Sequence, residues 1–128
     1  DKGIPYNEDY VYFGGYETEQ GMRGCEYLMN LPSPPTAIFS ISDIIAIGAM
    51  NYALSKGYRI GKDLIFMGFD NIQYSHMFVP HLSTVEQPCY AQGKLVIEKL
   101  IENMKATNPD HNLYTLPHSL VLRESTGD

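Results

Sequence analysis

The 128-residue chain has no tryptophan, only two cysteines, and nine basic residues against 15 acidic ones. Each shortage excludes something. A net charge of -6 and a pI near 5.1 leave no Lys and Arg cluster to grip a phosphate backbone, so any nucleic-acid contact is expected elsewhere. Cys25 and Cys89 lie 64 positions apart with no close partner. That spacing predicts two free thiols in a reducing compartment rather than a disulfide framework. The longest apolar stretch, Ile44 to Met50, is far below the roughly 20 residues of a membrane span. The chain opens at Asp1 without Met and without a charged-then-apolar leader, so no targeting segment is expected, and an upstream part is expected to have been lost.

Catalytic and metal signatures are equally scarce. No Gly-x-Ser-x-Gly is present, so there is no nucleophile elbow. Gly57 to Asp63 has one residue too few between its glycines for a phosphate loop and ends in Asp. It also follows a helical pattern, which makes it a helix-to-strand connection. His76 and His81, and His111 and His118, lack the spacing and flanking ligands of a zinc site and read as solvated loop histidines. Cys25 falls on the apolar face of a predicted helix, as a structural thiol would. No enzyme chemistry, cofactor or metal is therefore expected. The length suits one ordinary soluble domain, and a chain of this size buries about two-thirds of its unfolded surface without a staple.

What the chain does have is alternation. Tyr10-Val11-Tyr12-Phe13 before Gly14-Gly15 predicts a strand over 9–13, and Met22, Cys25, Leu28 and Met29 then recur at helical spacing up to Asn30. Thr36-Ala37-Ile38-Phe39 reads as the next strand. Ser40 to Asp43 supply the turn and N-cap of a helix burying Ile44, Ala46, Ile47, Met50 and Leu54, which Gly57 ends. Leu64 to Met67 is a third strand closed by Gly68, and Leu82 to Val85 is extended. Pro88 opens a helix marked by Ala91, Leu95, Ile97, Leu100 and Ile101. A polar loop over 107–112 and a last strand, Ser119 to Leu122, follow. The pattern predicts an α/β fold, a mainly parallel sheet with flanking helices joined by right-handed crossovers.

In such sheets ligands bind beyond the carboxyl ends of the strands, which singles out the turns Gly14 to Glu17, Ser40 to Asp43 and Gly68 to Asn71. Asp70 can accept two sugar hydroxyls at once or cap its own turn, and the spacing favours neither. Among ten tyrosines, Tyr16 can stack on a flat ligand or close the core.

Taken in order, Thr36-Ala37-Ile38-Phe39, Ser42-Asp43-Ile44-Ile45-Ala46-Ile47-Gly48-Ala49-Met50, Gly68-Phe69-Asp70-Asn71, Pro80-His81-Leu82-Ser83-Thr84-Val85-Glu86-Gln87-Pro88 and Leu120-Val121-Leu122-Arg123-Glu124-Ser125-Thr126 resemble the C-terminal half of lactose-repressor (LacI/GalR) family transcription regulators. The resemblance covers nearly the whole chain. It implies a periplasmic-binding-protein-like (type I) core with two α/β lobes, here incomplete. Residues 1–85 would be most of the C-terminal lobe, without its first strand and helix. Residues 86–128 would be a crossover, helix and strand that pack on the N-terminal lobe, and the DNA-binding helix-turn-helix is absent from this chain.

Carried over by position, the resemblance assigns effector binding to Asp70, Tyr16, Ser42 and Gln87. Ser42 stands where sugar-responsive relatives often have Asn, which implies a shorter polar reach. Asp43 reads as a helix cap. The arginine that many relatives use for the effector would lie upstream of Asp1. The helix from Ile44 to Leu54 implies a two-fold dimer interface through Ile47, Met50, Asn51 and Phe78, with plain core packing as the alternative for Ile47 and Met50. The implied protein is a cytoplasmic, homodimeric repressor that senses a small-molecule effector, a sugar or related metabolite, and contacts operator DNA through the missing N-terminal domain. The alternative is an exported sugar-binding receptor of the same fold. Either way, the missing lobe would leave apolar sheet edge and helix faces uncovered.

Overall fold

A computed structural model describes residues 3, 5–107 and 112–127. Four strands, β1 (Ala37–Phe39), β2 (Ile65–Asp70), β3 (Ser83–Glu86) and β4 (Ser119–Val121), form one sheet in the order β1-β2-β3-β4. The pairings β1/β2 and β2/β3 are parallel and β3/β4 is antiparallel. The mainly parallel sheet expected from the alternation is therefore present, with one strand returning against it.

Three helices accompany the sheet: α1 (Thr18–Met29), α2 (Asp43–Ser55) and α3 (Cys89–Lys105). The segment expected as a first strand does not pair. Glu8–Tyr10 instead forms a 3-10 turn capped by the Asn7 side chain, and no ladder includes 11–13. Period-two aromatics suit a strand only where a neighbouring strand offers its edge. Here Tyr10 donates its hydroxyl to the Ser33 carbonyl and Tyr12 packs against Tyr27 at 5.7 Å between ring centres.

The core forms where α1 and α2 press together over β1 and β2. Cys25, Leu28, Ile38, Ala46, Ala49, Met50, Ala53, Leu64, Phe66 and Leu82 make one buried cluster. α2 is apolar nearly all round; of the residues expected inside, Ala46 and Met50 are buried. The face that packs is its small one, Ala46, Gly48, Ala49 and Ala53, whereas Leu54 is exposed and Ile44 and Ile47 are half-buried. Small residues allow backbone contact: a Cβ on Gly21 would strike the Ile45 carbonyl oxygen, and one on Gly48 would strike that of Thr18. Burial pushes the Cys25 thiol up to about 12, as fits an inert structural residue, and both cysteines are free.

β2 does not stop at Gly68 but continues to Asp70. Gly68 serves another purpose, because a Cβ there would collide with Asp43 Oδ1. Asp43 is not the cap of α2. It is the first helical residue, and Ser42 caps the helix by accepting from the Ile45 amide at 3.4 Å. Gly57 and Gly61 both take positive φ in the helix-to-strand connection, which Arg59 and Asp63 close with paired side-chain bonds. The expected polar loop over 107–112 falls largely outside the described residues.

The chain returns from β4 into the lobe through its tail. Ser125, fully buried, donates to the Phe66 carbonyl at 2.7 Å and accepts from the Ser83 amide at 2.8 Å. His81 is held at both its backbone and ring nitrogens by Glu124, so it is not a free loop histidine. By contrast, none of the 17 residues of α3 is buried. Ile97, Leu100, Ile101 and Met104 form an apolar stripe at helical spacing that stays 46–78% exposed. A stripe of that kind is built to be covered.

Candidate functional site

Because β1, β2 and β3 run parallel, their carboxyl ends share one edge of the sheet. That edge collects Ser40 to Ser42 after β1, Asp70 and Asn71 at the end of β2, and Gln87 after β3. Register sets Asp70 beside Glu86, and the next residue, Gln87, donates its side-chain amide to Asp70 Oδ1 at 2.6 Å. Two of the four expected effector residues are thus in direct contact.

The turn that presents Asp70 is unusual in its backbone. Asp70 has φ 113° and Asn71 has φ 53°. For residues with a Cβ this region costs of order 1–3 kcal/mol and is kept only where neighbours fix it. Asn is among the few side chains that tolerate it. The Asn71 side chain donates to Glu86 Oε1 at 3.1 Å and accepts from Arg123 at 2.7 Å, and its backbone amide donates to Thr84 Oγ1 at 3.3 Å.

Beneath the turn lies Asp43, fully buried. Its Oδ1 accepts the Thr84 hydroxyl at 2.6 Å and its Oδ2 accepts the Ile72 amide at 2.9 Å. Burial holds its carboxyl above the ordinary carboxylate range, with the Thr84 and Ile72 bonds pulling the other way. Asp43 therefore ties the start of α2 to β3 and to the far side of the Asp70 turn. This role was not visible in the sequence, nor was that of Arg123. Two polar residues after a strand gave a signal for the turn, but nothing local announced its partners 13 to 52 positions away.

The other two expected effector residues are placed differently. Tyr16 is 75% exposed and lines a depression of about 480 Å³ with Tyr10, Tyr12, Phe13, Phe39 and Ile41. Asp70 and Gln87 are not among its walls. Ser42 is half-buried and is not among the walls of that depression; its oxygen is engaged in the cap and its hydroxyl hydrogen is still available to donate. The four residues expected at a dimer face converge. Ile47, Met50, Asn51 and Phe78 line one smaller depression of about 130 Å³, together with Leu54 and Tyr74. Tyr74 and Phe78 stack there at 6.5 Å, and both are more than half exposed. Among the described residues, no group of His, Cys, Asp and Glu is placed to hold a metal ion, and no helix is long and apolar enough to cross a membrane.

Comparison with known proteins agrees with this fold. The family model described as a periplasmic binding protein-like domain matches residues 2–126. The HTH-type transcriptional repressor CytR of Escherichia coli is 33% identical over 124 residues, covering 97% of this chain and 36% of the repressor. The ribose operon repressor of Haemophilus influenzae is 37% identical over 122 residues, covering 95% of this chain and 37% of its own length. Among solved structures, a regulatory protein of the LacI family from Chloroflexus aggregans superposes with a TM-score of 0.86 at 34% identity, over 95% of this chain and 44% of that one. The chain thus spans little more than a third of the length of the repressors it matches. These similarities bear out the resemblance to LacI-family regulators, and the chain belongs to the periplasmic binding protein-like domain family.

Proposed function

We propose that this chain is the effector-sensing and dimerising part of a cytoplasmic transcriptional repressor, in which a sugar or related metabolite binds beyond the sheet edge and alters operator affinity. The contact between Asp70 and Gln87 carries this reading. A carboxylate held on an energetically costly backbone, at the carboxyl ends of parallel strands, is an investment in ligand contact rather than in stability. In the proposal Asp70 accepts two hydroxyls, Gln87 orients it, Ser42 donates from the next turn, and the Tyr16 ring covers the ligand. The relatives being repressors rather than enzymes accords with binding alone, without covalent chemistry.

The rest of the reading concerns what this chain meets. Residues 1–85 act as most of one lobe. Residues 86–128 leave it as crossover, helix and strand, and the uncovered stripe on α3 supports packing against a second lobe. Ile47, Asn51 and Phe78 meet a second copy about a two-fold axis, with Met50, buried in the core, forming the floor beneath them. Operator DNA is contacted by a separate domain, which the net charge of -6 favours over any contact by this segment.

The experiment is fluorescence anisotropy of the full-length protein on the DNA upstream of its own gene, with and without a panel of pentoses, hexoses, disaccharides and nucleosides. The proposal expects specific binding that one member of the panel shifts severalfold. Binding that no member shifts, or no binding to that DNA, contradicts it.

A further inference from the structure

We infer that Arg123 is the positioning residue for Asp70, acting through Asn71. The inference rests on the reading of Asp70 as an effector contact but is tested separately from it. Arg123 follows β4, 52 positions after Asn71, and its side chain reaches under the turn after β2. One terminal nitrogen, Nη2, donates to Asn71 Oδ1 at 2.7 Å. The other, Nη1, donates to the Leu82 carbonyl at 2.6 Å and to Ser75 Oγ at 3.0 Å. Its backbone amide donates to Ser83 Oγ at 2.7 Å. The guanidinium fork therefore spans the start of β3, the 3-10 turn Gln73–His76 and the residue next to Asp70, with both ends anchored.

This placement answers a physical question that the turn raises. Two consecutive non-glycine residues at positive φ do not stay there unless something outside the turn holds them. The Asn71 side chain is the handle: Glu86 takes its amide, and its oxygen accepts from Arg123 at 2.7 Å, with the Ser75 hydroxyl farther off at 3.3 Å. With the oxygen held by a cation, Asn71 is locked in the left-handed region, and the chain direction through Asp70 follows. Arg123 touches no proposed ligand position itself. It sits where the returning crossover re-enters the lobe, so a movement of that crossover is felt at the Asp70 turn.

The tail is also anchored by Ser125, which bonds Phe66 and Ser83 and does not reach the turn. That gives an internal control for ordinary stabilisation. The test is NMR of the full-length protein carrying Arg123→Lys, Asn71→Gly or Ser125→Ala, read at the Asp70 and Asn71 φ-dependent couplings and Cα shifts and at amide exchange. Arg123→Lys keeps the charge and loses the fork, and Asn71→Gly tolerates positive φ while removing the handle. Positioning predicts that both shift Asp70 toward extended backbone and speed Asn71 and Ile72 exchange selectively, by about tenfold, whereas Ser125→Ala loosens core amides without moving Asp70. Retention of the positive-φ signature in Arg123→Lys, or exchange that rises uniformly as in Ser125→Ala, overturns the inference. If the turn is freed as expected but Asp70→Asn leaves binding of the sugar panel unchanged, the effector reading fails and the positioning role stands.

Discussion

Gln87 and Asp70 are joined by a 2.6 Å hydrogen bond across the ends of two parallel strands, with Asp70 at φ 113°. Contact and conformation make opposite contributions to stability. The bond contributes about 1.5–3 kcal/mol when one partner is charged, while the backbone costs of order 1–3 kcal/mol. Asp70→Gly removes both. It is expected to leave urea stability within about 1 kcal/mol of the parent, since the relieved strain offsets the lost bond, while effector binding disappears. A loss of several kcal/mol would show that Asp70 is there for the fold.

Asp43 gives a pH prediction. Its carboxyl lies above its ordinary value because it is buried, so between that value, about 3.9, and the raised one the folded state holds a proton that the unfolded chain has released. Stability contributed this way is complete below the ordinary value and falls as pH rises through the window. Glu124, lowered by its own backbone amide and then by His81, acts in the opposite sense, losing stability as pH falls through its folded value. The difference between the parent and Asp43→Asn isolates the first effect: urea unfolding across pH 4–8 should show a flatter profile for the variant. Asp43→Ala, which strands the Ile72 amide and the Thr84 hydroxyl, should cost about 1–3 kcal/mol for each.

The α1–α2 contact predicts a severe effect from a single methyl. In Gly48→Ala the new Cβ meets the Thr18 carbonyl oxygen, and backbone cannot rotate aside as a side chain can. Separating the helices should cost about 1–3 kcal/mol or more, against an ordinary gain of about 0.5–1 kcal/mol for Gly→Ala in a helix. Urea denaturation gives the sign directly, and a stabilised variant would refute the close approach.

The proposed dimer face around the depression between Asn51 and Phe78 is open to a direct test. Phe78 is 55% exposed, so Phe78→Asp should leave the fold intact. It should weaken the dimer by about 10- to 100-fold, the loss of one aromatic anchor. Sedimentation of the variant as a dimer at every concentration where the parent is dimeric would place the interface elsewhere.

Legibility in the sequence followed the range of the interactions. α1, α2, α3 and all four strands lie within a few residues of where periodicity, the Ser40 to Asp43 turn, Gly57 and Pro88 put them, because those signals act over one or two turns of chain. The false strand at 9–13 had the right residues and lacked a paired neighbour. On α2, Ala46 and Met50 were placed inside correctly, but Ile44, Ile47 and Leu54 were not, because Leu and Ile outrank Ala in hydrophobicity, while close packing against α1 selects for small size. At the candidate site, the Gly68 to Asn71 turn was singled out by its place after a strand and Gln87 by the family resemblance, but the partners that Asn71 finds in Thr84 and Arg123 were not. Their roles come from bonds spanning 13 to 52 residues, which no local pattern encodes.

The most direct measurement is calorimetric titration of the full-length protein and its Asp70→Asn variant with the sugar and nucleoside panel. The proposal predicts that one compound binds the parent and that the variant binds it about 10- to 150-fold more weakly, as expected for losing a charged hydrogen-bond acceptor. Equal affinities for parent and variant would contradict it.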